Sequence, residues 1–534
     1  MGVVSGQPRI TRRRALAIGG AAIGSALVAA CAPTSPVAGT TGSSTPRTGG
    51  TISSARASKL VSPTDMLSAL VATDYYPAQH IYEPLYQFKD GAIVGLLADK
   101  TVFSADGLTW TITLKSSVKF HDGTDFDAAA VKTNLDLRKA KATFLERTSM
   151  APIREVRVVN PTTIQLLLTT PSGSLQGSLA SIAFGMQSPT AMAKHADPVE
   201  YAKNAAGTGA FKPVGGPTAD GEITVVRNDQ YWGPKAYLDK IIFKSILDNG
   251  ARSAALEAGD IQVAEIGPAD FPRLQGDGKF SLMLPPHVMR GGTALWFNLA
   301  KAPFSDKRAR QSVAYGVDGD ALVKFLGELG KRADSVLWST MPGYVASPLY
   351  ANDLTKAKQL FAAAGLTPGT PLDFMVNTFG TWVTQAQAIK QNMDAIGFNT
   401  TIRPLATAAW LAEANLAASS AKWNLALDGM PNNFPDADSI FPRYFATATD
   451  TAGGGNWDHY RNDQFDSLLT RESATVDQAT RNGLLGQMQR ILWDDLPMLP
   501  LVWVSAAVAT HKSVRDLDVN NLDGIWRFQR CWLG

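Results

Sequence analysis

Beyond the first fifty residues, strand and helix signals alternate along the whole chain, without an internal repeat or a low-complexity segment. Apolar side chains at every second position of 109–114 predict a half-buried strand, and the pattern recurs at 164–168. An apolar stripe after Asp127 predicts a helix capped by that aspartate. A second helix, over 251–258, is predicted to end at Gly259. This alternation favours an α/β fold.

Length and charge narrow the class of protein further. A chain of 534 residues predicts several domains, since a domain usually takes about 100–200 residues. Without the four arginines near its start, the chain carries 46 basic and 47 acidic side chains, so it lacks the positive excess typical of nucleic-acid binding. Its two cysteines, Cys31 and Cys531, allow at most one disulfide and no cysteine-based zinc site.

The N-terminal residues have the composition of an export signal. A basic stretch precedes a weakly apolar segment at 15–30, which is short of the roughly 20 residues that a membrane span needs. The sequence TRRRAL at 11–16 resembles a twin-arginine signal, and VAAC ending at Cys31 resembles a lipobox. We therefore predict a lipoprotein signal peptide at 1–31, lipidation of Cys31, and a flexible tether of small residues, Pro and Gly at 32–50.

The sequence contains none of the common catalytic signatures. Its six histidines are scattered, and it has no HExxH zinc motif, no G-x-S-x-G nucleophile elbow and no Walker A loop. The expectation is a protein that is not an enzyme and that holds no metal and no cofactor.

Five longer segments, taken together, are more specific than any short motif. They are LADKTVFSADGLTW and its continuation to 137 (97–137), GTGAFKPV (207–214), RNDQYWGPKAYLDKIIF and its continuation (227–264), LWFNLAKAPFSDKRARQSVAYGVDGDAL (295–322) and QMQRILWDDLPMLPLVW (487–503). In this order they resemble the family 5 extracellular solute-binding proteins, which serve ABC importers of peptides, nickel and related solutes.

The resemblance implies an architecture. It is an α/β fold of the two-lobed periplasmic-binding-protein type (class II), with a third domain appended to one lobe and a hinge between discontinuous lobes. The expected boundaries are 51–79, 205–290 and 505–534 for lobe I, 80–204 for the appended domain, and 291–504 for lobe II.

The resemblance also implies a function and partners. An extracytoplasmic, membrane-anchored lipoprotein would capture a peptide or peptide-like small solute between its lobes and deliver it to an ABC permease, with the ATPase on a separate chain. We expect a monomer that binds no nucleic acid and reaches the membrane only through its lipid. The alternatives are a non-peptide solute, such as an opine, an oligosaccharide or a metal chelate, or a sensor or chaperone of the same fold that does not transport.

Solute contacts implied by the resemblance are spread along the chain. They are Thr73, Asp74, Tyr75, Trp296, Asn298, Asn377, Asp428, Met430, Asn433 and Asp436. The rings of Tyr75 and Trp296 offer faces for stacking, but both residues are equally compatible with a place in the core. Asp436 is equally compatible with turn and helix-cap chemistry.

The stretch 429–439, GMPNNFPDADS, departs from the pattern of peptide-binding relatives. Those relatives place an aspartate there that pairs with the α-ammonium of the peptide, whereas this chain has Met430 for the usual Trp and Asn433 for the Asp. Asparagine cannot supply the charge. Three interpretations stay open: Asp428, Asp436 or Asp74 takes over, the solute lacks a free ammonium, or the alignment is offset by one residue.

Overall fold

The strands and helices follow one another in the mixed order that the sequence predicts. The computed structural model describes residues 45–57, 75–89, 92–141, 144, 147–284, 289–430, 436–519 and 526–534. Thr45–Gly534 is one packed unit. The predicted signal peptide, tether and lipidated Cys31 lie outside the described residues, apart from the last few residues of the tether.

The strands of the described residues, in chain order, are β1 (Thr51–Arg56), β2 (Tyr86–Lys89), β3 (Ala92–Gly95), β4 (Ala98–Phe103), β5 (Thr109–Leu114), β6 (Ile153–Asn160), β7 (Thr163–Leu168), β8 (Phe211–Pro213), β9 (Ile223–Arg227), β10 (Lys240–Ser245), β11 (Val263–Ile266), β12 (Phe280–Met283), β13 (Met289–Phe297), β14 (Gly330–Arg332), β15 (Thr370–Asn377), β16 (Phe398–Leu405), β17 (Leu425–Gly429), β18 (Met498–Ser505), β19 (Ala507–His511), β20 (Val514–Arg515) and β21 (Trp532–Leu533).

The α-helices of the same residues are α1 (Tyr75–Ile81), α2 (Ala128–Ala140), α3 (Leu175–Ser178), α4 (Pro189–Lys194), α5 (Pro198–Lys203), α6 (Asn249–Ala258), α7 (Phe271–Gly276), α8 (Lys307–Gly316), α9 (Gly319–Leu326), α10 (Leu354–Ala363), α11 (Trp382–Ile396), α12 (Thr407–Ala414), α13 (Phe441–Tyr444), α14 (Asp463–Ser473) and α15 (Gln478–Asp495).

The elements predicted from local patterns are confirmed. β5 alternates buried and half-buried side chains, as the apolar period of two requires. The side chain of Asp127 accepts a hydrogen bond from the Ala130 amide and so caps α2. α6 ends at Gly259, whose φ of 85° lies in the left-handed region that favours glycine.

Three sheets of four or more strands, together with two two-stranded sheets (β2-β3 and β20-β21), organise the described residues. A seven-stranded sheet has the order β12-β19-β11-β1-β10-β9-β8, and a six-stranded sheet has the order β14-β18-β13-β17-β15-β16. A four-stranded antiparallel sheet has the order β4-β5-β7-β6. The strands of the seven-stranded sheet come from three separate stretches of sequence, in the manner of a discontinuous lobe, whereas the six-stranded and four-stranded sheets are each built from one continuous stretch. We retain the boundaries stated above as a proposal.

The chain passes between the two large sheets at neighbouring points. β18 belongs to the six-stranded sheet and β19 to the seven-stranded sheet, and only Ala506 separates them. β12 and β13 make the other passage, and β12 pairs with β19 while β13 pairs with β18. Two short adjacent crossovers are the geometry that allows two bodies to rotate about a hinge.

A buried carboxylate joins the segment between α1 and β2 to the loop between β9 and β10 of the seven-stranded sheet. Glu83 accepts hydrogen bonds from the Tyr231 hydroxyl at 2.5 Å, the Trp232 indole at 2.9 Å and the Thr208 hydroxyl at 2.8 Å. Burial raises its pKa to about 7, although these three donors oppose the rise. Tyr231 and Trp232 therefore hold the loop between β9 and β10 in place.

Candidate functional site

The edge of the six-stranded sheet gathers part of the predicted site. β15 and β17 are parallel neighbours, so their carboxyl ends, at Asn377 and Gly429, meet at one edge. Asp428 and Met430 lie at that same edge. β13 runs antiparallel to β17, with Thr293 opposite Gly429, so its carboxyl end points the other way.

The antiparallel direction of β13 takes Trp296 and Asn298 away from this edge. Asn298 is completely buried, and its amide donates to the Trp423 carbonyl at 3.0 Å while its side-chain oxygen accepts from the Ala300 amide. Both polar ends of the side chain are therefore used within the chain. This placement favours a structural role for Asn298, not solute contact.

Trp296 lies in the hydrophobic core. Its side chain is completely buried, with ring centres of Trp457 at 5.0 Å, Tyr444 at 5.8 Å and Phe445 at 6.2 Å. Of the two interpretations left open for Trp296, the structure favours the core, because a completely buried ring offers no face to a solute.

Asn377 and Asp428 form a pair at the sheet edge. The Asn377 amide donates to Asp428 Oδ1 across 3.4 Å, and the Gly429 amide donates to the same oxygen at 2.7 Å. The oxygen of Asn377 accepts from the Thr407 hydroxyl and from the Phe379 amide. Burial raises the pKa of Asp428 to about 7, against the effect of the two donors. Burial therefore favours the neutral form of this carboxyl group more than an exposed aspartate would.

Asp436 is held by an ion pair. Both of its oxygens accept hydrogen bonds from the Arg481 guanidinium, at 2.6 and 2.8 Å, and Oδ1 also accepts from the Asp438 amide. This arrangement favours the turn and capping role over contact with a solute ammonium.

As far as the structure describes them, the remaining predicted positions add no side-chain contact to the site. Thr73, Asp74 and Asn433 lie outside the described residues, and Tyr75 is the first residue of α1. Met430 is buried, and its amide donates to the Gly292 carbonyl at 3.1 Å.

A cavity of about 150 Å³ lies between the two large sheets, beside this edge. On the side of the seven-stranded sheet it is lined by Ala57, Asn249, Glu265, Ile266, Gly267 and Pro268. On the other side its walls include Gly292, Phe379, Gly380, Thr381, Trp382 and Gln385. The crossover at 504–506 closes one end. The cavity is thus bounded by both bodies and by the hinge.

The wall on the six-stranded side is aromatic. Phe379 is 44% exposed, and its ring centre lies 5.3 Å from that of Trp382. Trp382 packs directly on Gly429, where an added Cβ would lie 3.1 Å from the indole. Glycine at this position therefore allows Trp382 to lie close against the sheet edge.

Acceptors flank the aromatic wall. The Gln385 amide donates to the Thr381 hydroxyl at 3.0 Å, and Gln385 Oε1 is buried without a hydrogen-bond partner among the described residues. Across the cavity, the Glu265 carboxylate is partly exposed and pairs with Arg56 at 3.2 Å. The Arg56 guanidinium lies over the rings of Tyr76 and Trp526. A solute with hydrogen-bond donors and an apolar surface fits this lining.

Sequence reasoning did not identify Arg56, Glu265, Phe379, Trp382 or Gln385. The available signal was the pair of aromatic residues at 379 and 382, two and five positions after the predicted site residue Asn377. The pairing of Arg56 with Glu265 joins residues 209 positions apart, so no local pattern shows it.

Two further observations concern other kinds of site. Among the described residues, no three His, Cys, Asp or Glu side chains come together as a metal site would require. No helix in the described part of the chain is long and apolar enough to span a membrane.

Two α/β bodies joined by short crossovers, with a cavity between them, define a two-lobed solute-binding protein. The family model described as "Bacterial extracellular solute-binding proteins, family 5 Middle" matches residues 92–452, more than half of the chain. The chain belongs to this family, whose members are the extracytoplasmic substrate-binding proteins of ABC importers. The resemblance and the fold class predicted from the sequence are thereby confirmed.

Individual relatives agree with this assignment. The Glutathione-binding protein GsiB of Pectobacterium atrosepticum is 28% identical over 460 residues, covering 84% of this chain and 87% of its own. The periplasmic binding protein DppA from Helicobacter pylori, solved in complex with peptide STSA, has a TM-score of 0.80 at 24% identity and covers 91% of this chain and 98% of its own. AgaA from A. tumefacien R10, solved with agropinic acid, has a TM-score of 0.79 at 23% identity, over 91% and 99% of the two chains. At these identities the two solved structures show the fold alone.

Proposed function

We propose that this protein captures a peptide-like solute in the cavity between its two large sheets and delivers it to an ABC permease, with the ATPase on a separate chain. The observation that carries the proposal is the position of the cavity, which has walls on both bodies and lies at the crossovers. A solute that contacts both walls stabilises the closed arrangement of the lobes, because only that arrangement brings the walls together.

The same proposal includes the location of the protein. The basic and apolar segments of 1–31 and the VAAC sequence at Cys31 support export and lipidation. A lipid anchor and the flexible stretch at 32–50 would keep the binding protein near the permease and so raise its effective concentration there. The family assignment agrees with a protein that acts outside the cytoplasm. We propose a monomer that acts as a binding protein and not as an enzyme.

The lining supports a peptide-like solute. Phe379 and Trp382 provide apolar surface, while Gln385 Oε1 and the Glu265 carboxylate accept hydrogen bonds. Peptides and glutathione carry both apolar groups and N–H donors, and the relatives named above include proteins described as binding each of them. Glu265 pairs with Arg56, but unlike Asp436 its carboxylate is partly exposed, so it can also accept from an ammonium group in place of the aspartate of peptide-binding relatives.

A second solute class is favoured by a specific observation. Arg481 pairs with the Asp436 carboxylate, and burial raises the pKa of Asp428, which disfavours its charged form. The six-stranded side therefore offers less negative charge to an ammonium than the sequence pattern of peptide-binding relatives does. A solute without a free ammonium, such as an opine, agrees with this, and the solved AgaA is described with agropinic acid.

Native mass spectrometry of the gently purified protein tests the proposal. We expect a mass increment from a retained solute, and isothermal titration of the solute-stripped protein with glutathione and with a tetrapeptide is expected to show which of these it binds. A single increment that matches a non-peptide solute, with no binding of either probe, would favour the second class. A protein that retains no solute and binds neither these probes nor an opine would contradict the proposal.

Phe379→Ala is expected to weaken solute binding about five- to tenfold, because the exposed ring supplies apolar contact in the cavity. Stability is expected to change little, since the ring is almost half exposed. The measurement is titration calorimetry with the solute identified by mass spectrometry. Phe325→Ala is the matched control, because Phe325 is 46% exposed and lies outside the cavity lining. Equal affinities for both variants would remove Phe379 from the site.

A further inference from the structure

A cluster with unbalanced charge lies in the six-stranded body, outside the cavity. The Arg481 guanidinium pairs with Asp436 at 2.6 Å, with Glu472 at 2.6 Å and with Asp438 at 3.8 Å. All four side chains are buried: their exposed fractions are 1% for Arg481, 8% for Asp436, 0% for Glu472 and 10% for Asp438. Three carboxyl groups therefore share one cation.

A short segment that follows the four-stranded sheet, here called the strap, covers this cluster. The strap, residues 171–174, follows β7 and leads into α3. The Gly173 amide donates to the Ser473 carbonyl at 3.2 Å, and an added Cβ at Gly173 would meet the Thr475 carbonyl at 2.2 Å and Arg481 Cδ at 3.0 Å. Glycine is needed here because a Cβ would collide with the Thr475 carbonyl, and the same closeness places the backbone of the strap against the Arg481 side chain.

The strap brings no charge to the cluster. Its sequence, Pro-Ser-Gly-Ser, contains no titratable side chain, and the contact it makes with a carboxyl group of the cluster is a hydrogen bond between the Ser174 side chain and Asp438. The charged groups that face one another here are Asp436 and Asp438 beside the turn at 437–439, Glu472 on α14 and Arg481 on α15. Covering the cluster removes water without adding a cation.

Three ionised carboxylates beside one guanidinium would leave a net charge of two negatives in a buried place, which is costly. We propose that the strap and the cluster form a proton-linked latch: closing the strap over the cluster takes up at least one proton, so acidic conditions favour the closed form. The proton goes to a carboxyl group of the cluster, because the guanidinium is already fully protonated.

The direction of the pH dependence follows from the environment. Burial, followed by the charge of Asp438, raises the pKa of Glu472 to about 9, and burial and Asp436 raise that of Asp438. Once the strap lifts, water reaches the carboxyl groups and their pKa values fall towards the ordinary value near 4. At pH values between the lower pKa of the open form and the higher pKa of the closed form, the closed form holds more protons than the open form. Closure therefore weakens as the pH rises.

The consequence for solute uptake rests on the proposed function, since it assumes that the strap and the six-stranded body separate when the lobes open. Solute affinity would then fall as the pH rises from about 5 to 8. The strap contact itself does not depend on that assumption and can be measured without a solute.

Hydrogen–deuterium exchange of the solute-free, full-length protein measures the latch. After correction for the intrinsic exchange rate, the opening constant of peptides covering 171–174 is expected to rise about tenfold for each pH unit between pH 6 and 8, the slope of one linked proton. Peptides covering β15 serve as the internal reference and are expected to show no such slope. A strap without protection at pH 6, or with a flat profile, would overturn the proposal.

Neutral variants identify the titrating group. Glu472→Gln and Asp438→Asn keep the size of the side chain and remove a carboxyl group, and we expect at least one of them to flatten the pH profile of the strap and increase its protection at pH 8. Asp463→Asn, an exposed substitution on the same helix as Glu472, is the control and should keep the wild-type slope. If both cluster variants also keep the wild-type slope, the cluster is not the source of the protons.

Discussion

Replacing Arg481 with methionine is expected to lower the free energy of unfolding by about 3–5 kcal/mol at pH 8, the usual cost of removing one partner of a buried ion pair. The variant leaves Asp436, Asp438 and Glu472 buried without the one cation that pairs with them among the described residues. Methionine fills a similar volume, so the loss reports charge and not a cavity. Urea unfolding followed by fluorescence gives the measurement.

The pH dependence of this loss distinguishes charge from packing. Without the guanidinium the carboxyl groups hold protons more tightly in the folded state than in the unfolded state. Their penalty is therefore largest at high pH and disappears as the pH falls towards about 4, where both states are protonated. We expect a smaller loss at pH 5 than at pH 8. Arg490→Met, at an exposed position on the same helix, should cost less than about 0.5 kcal/mol. A loss for Arg481→Met that is equal at both pH values would assign it to packing.

Replacing Trp296 with alanine is expected to cost about 3–5 kcal/mol of stability, the range found when a large aromatic residue is removed from a core. The ring is completely buried, and Trp457, Tyr444 and Phe445 pack against it. Those three rings cannot close the space completely, because each is held by its own neighbours. The variant that still folds should bind the solute with unchanged affinity, within about twofold.

Trp382→Ala is the comparison that separates the core from the cavity. Trp382 lines the cavity and is only partly buried, so we expect a smaller loss of stability and a clear loss of affinity. Stability is read from urea unfolding and affinity from titration calorimetry at a temperature where all variants are folded. If Trp296→Ala were as stable as the wild type and bound solute poorly, the expectation from sequence would be right and the assignment to the core wrong.

Local sequence patterns were enough to predict several strands and helices. β5, α2 and α6 follow from the spacing of apolar residues, a capping aspartate and a terminating glycine, because these features act within one turn or one strand. The family followed from the order of five long segments, which spreads the signal over most of the chain.

Site residues were harder to predict because they depend on strand direction. Asn377 and Asp428 meet because β15 and β17 are parallel, while Asn298 is carried to the opposite edge because β13 is antiparallel to them. Sequence shows that each residue ends a strand but does not show which way the strand runs in the sheet.

By itself, then, the sequence determined the alternating elements, their caps and the family of solute-binding proteins, since all of these are encoded by residues close together or in a fixed order. Only the tertiary structure decided that Trp296 belongs to the core and that the Asp436 carboxylate pairs with Arg481. It also decided that Glu265 faces Phe379 and Trp382 across a cavity. Burial and charge pairing arise between residues distant in the chain, and they exist only once the sheets are assembled.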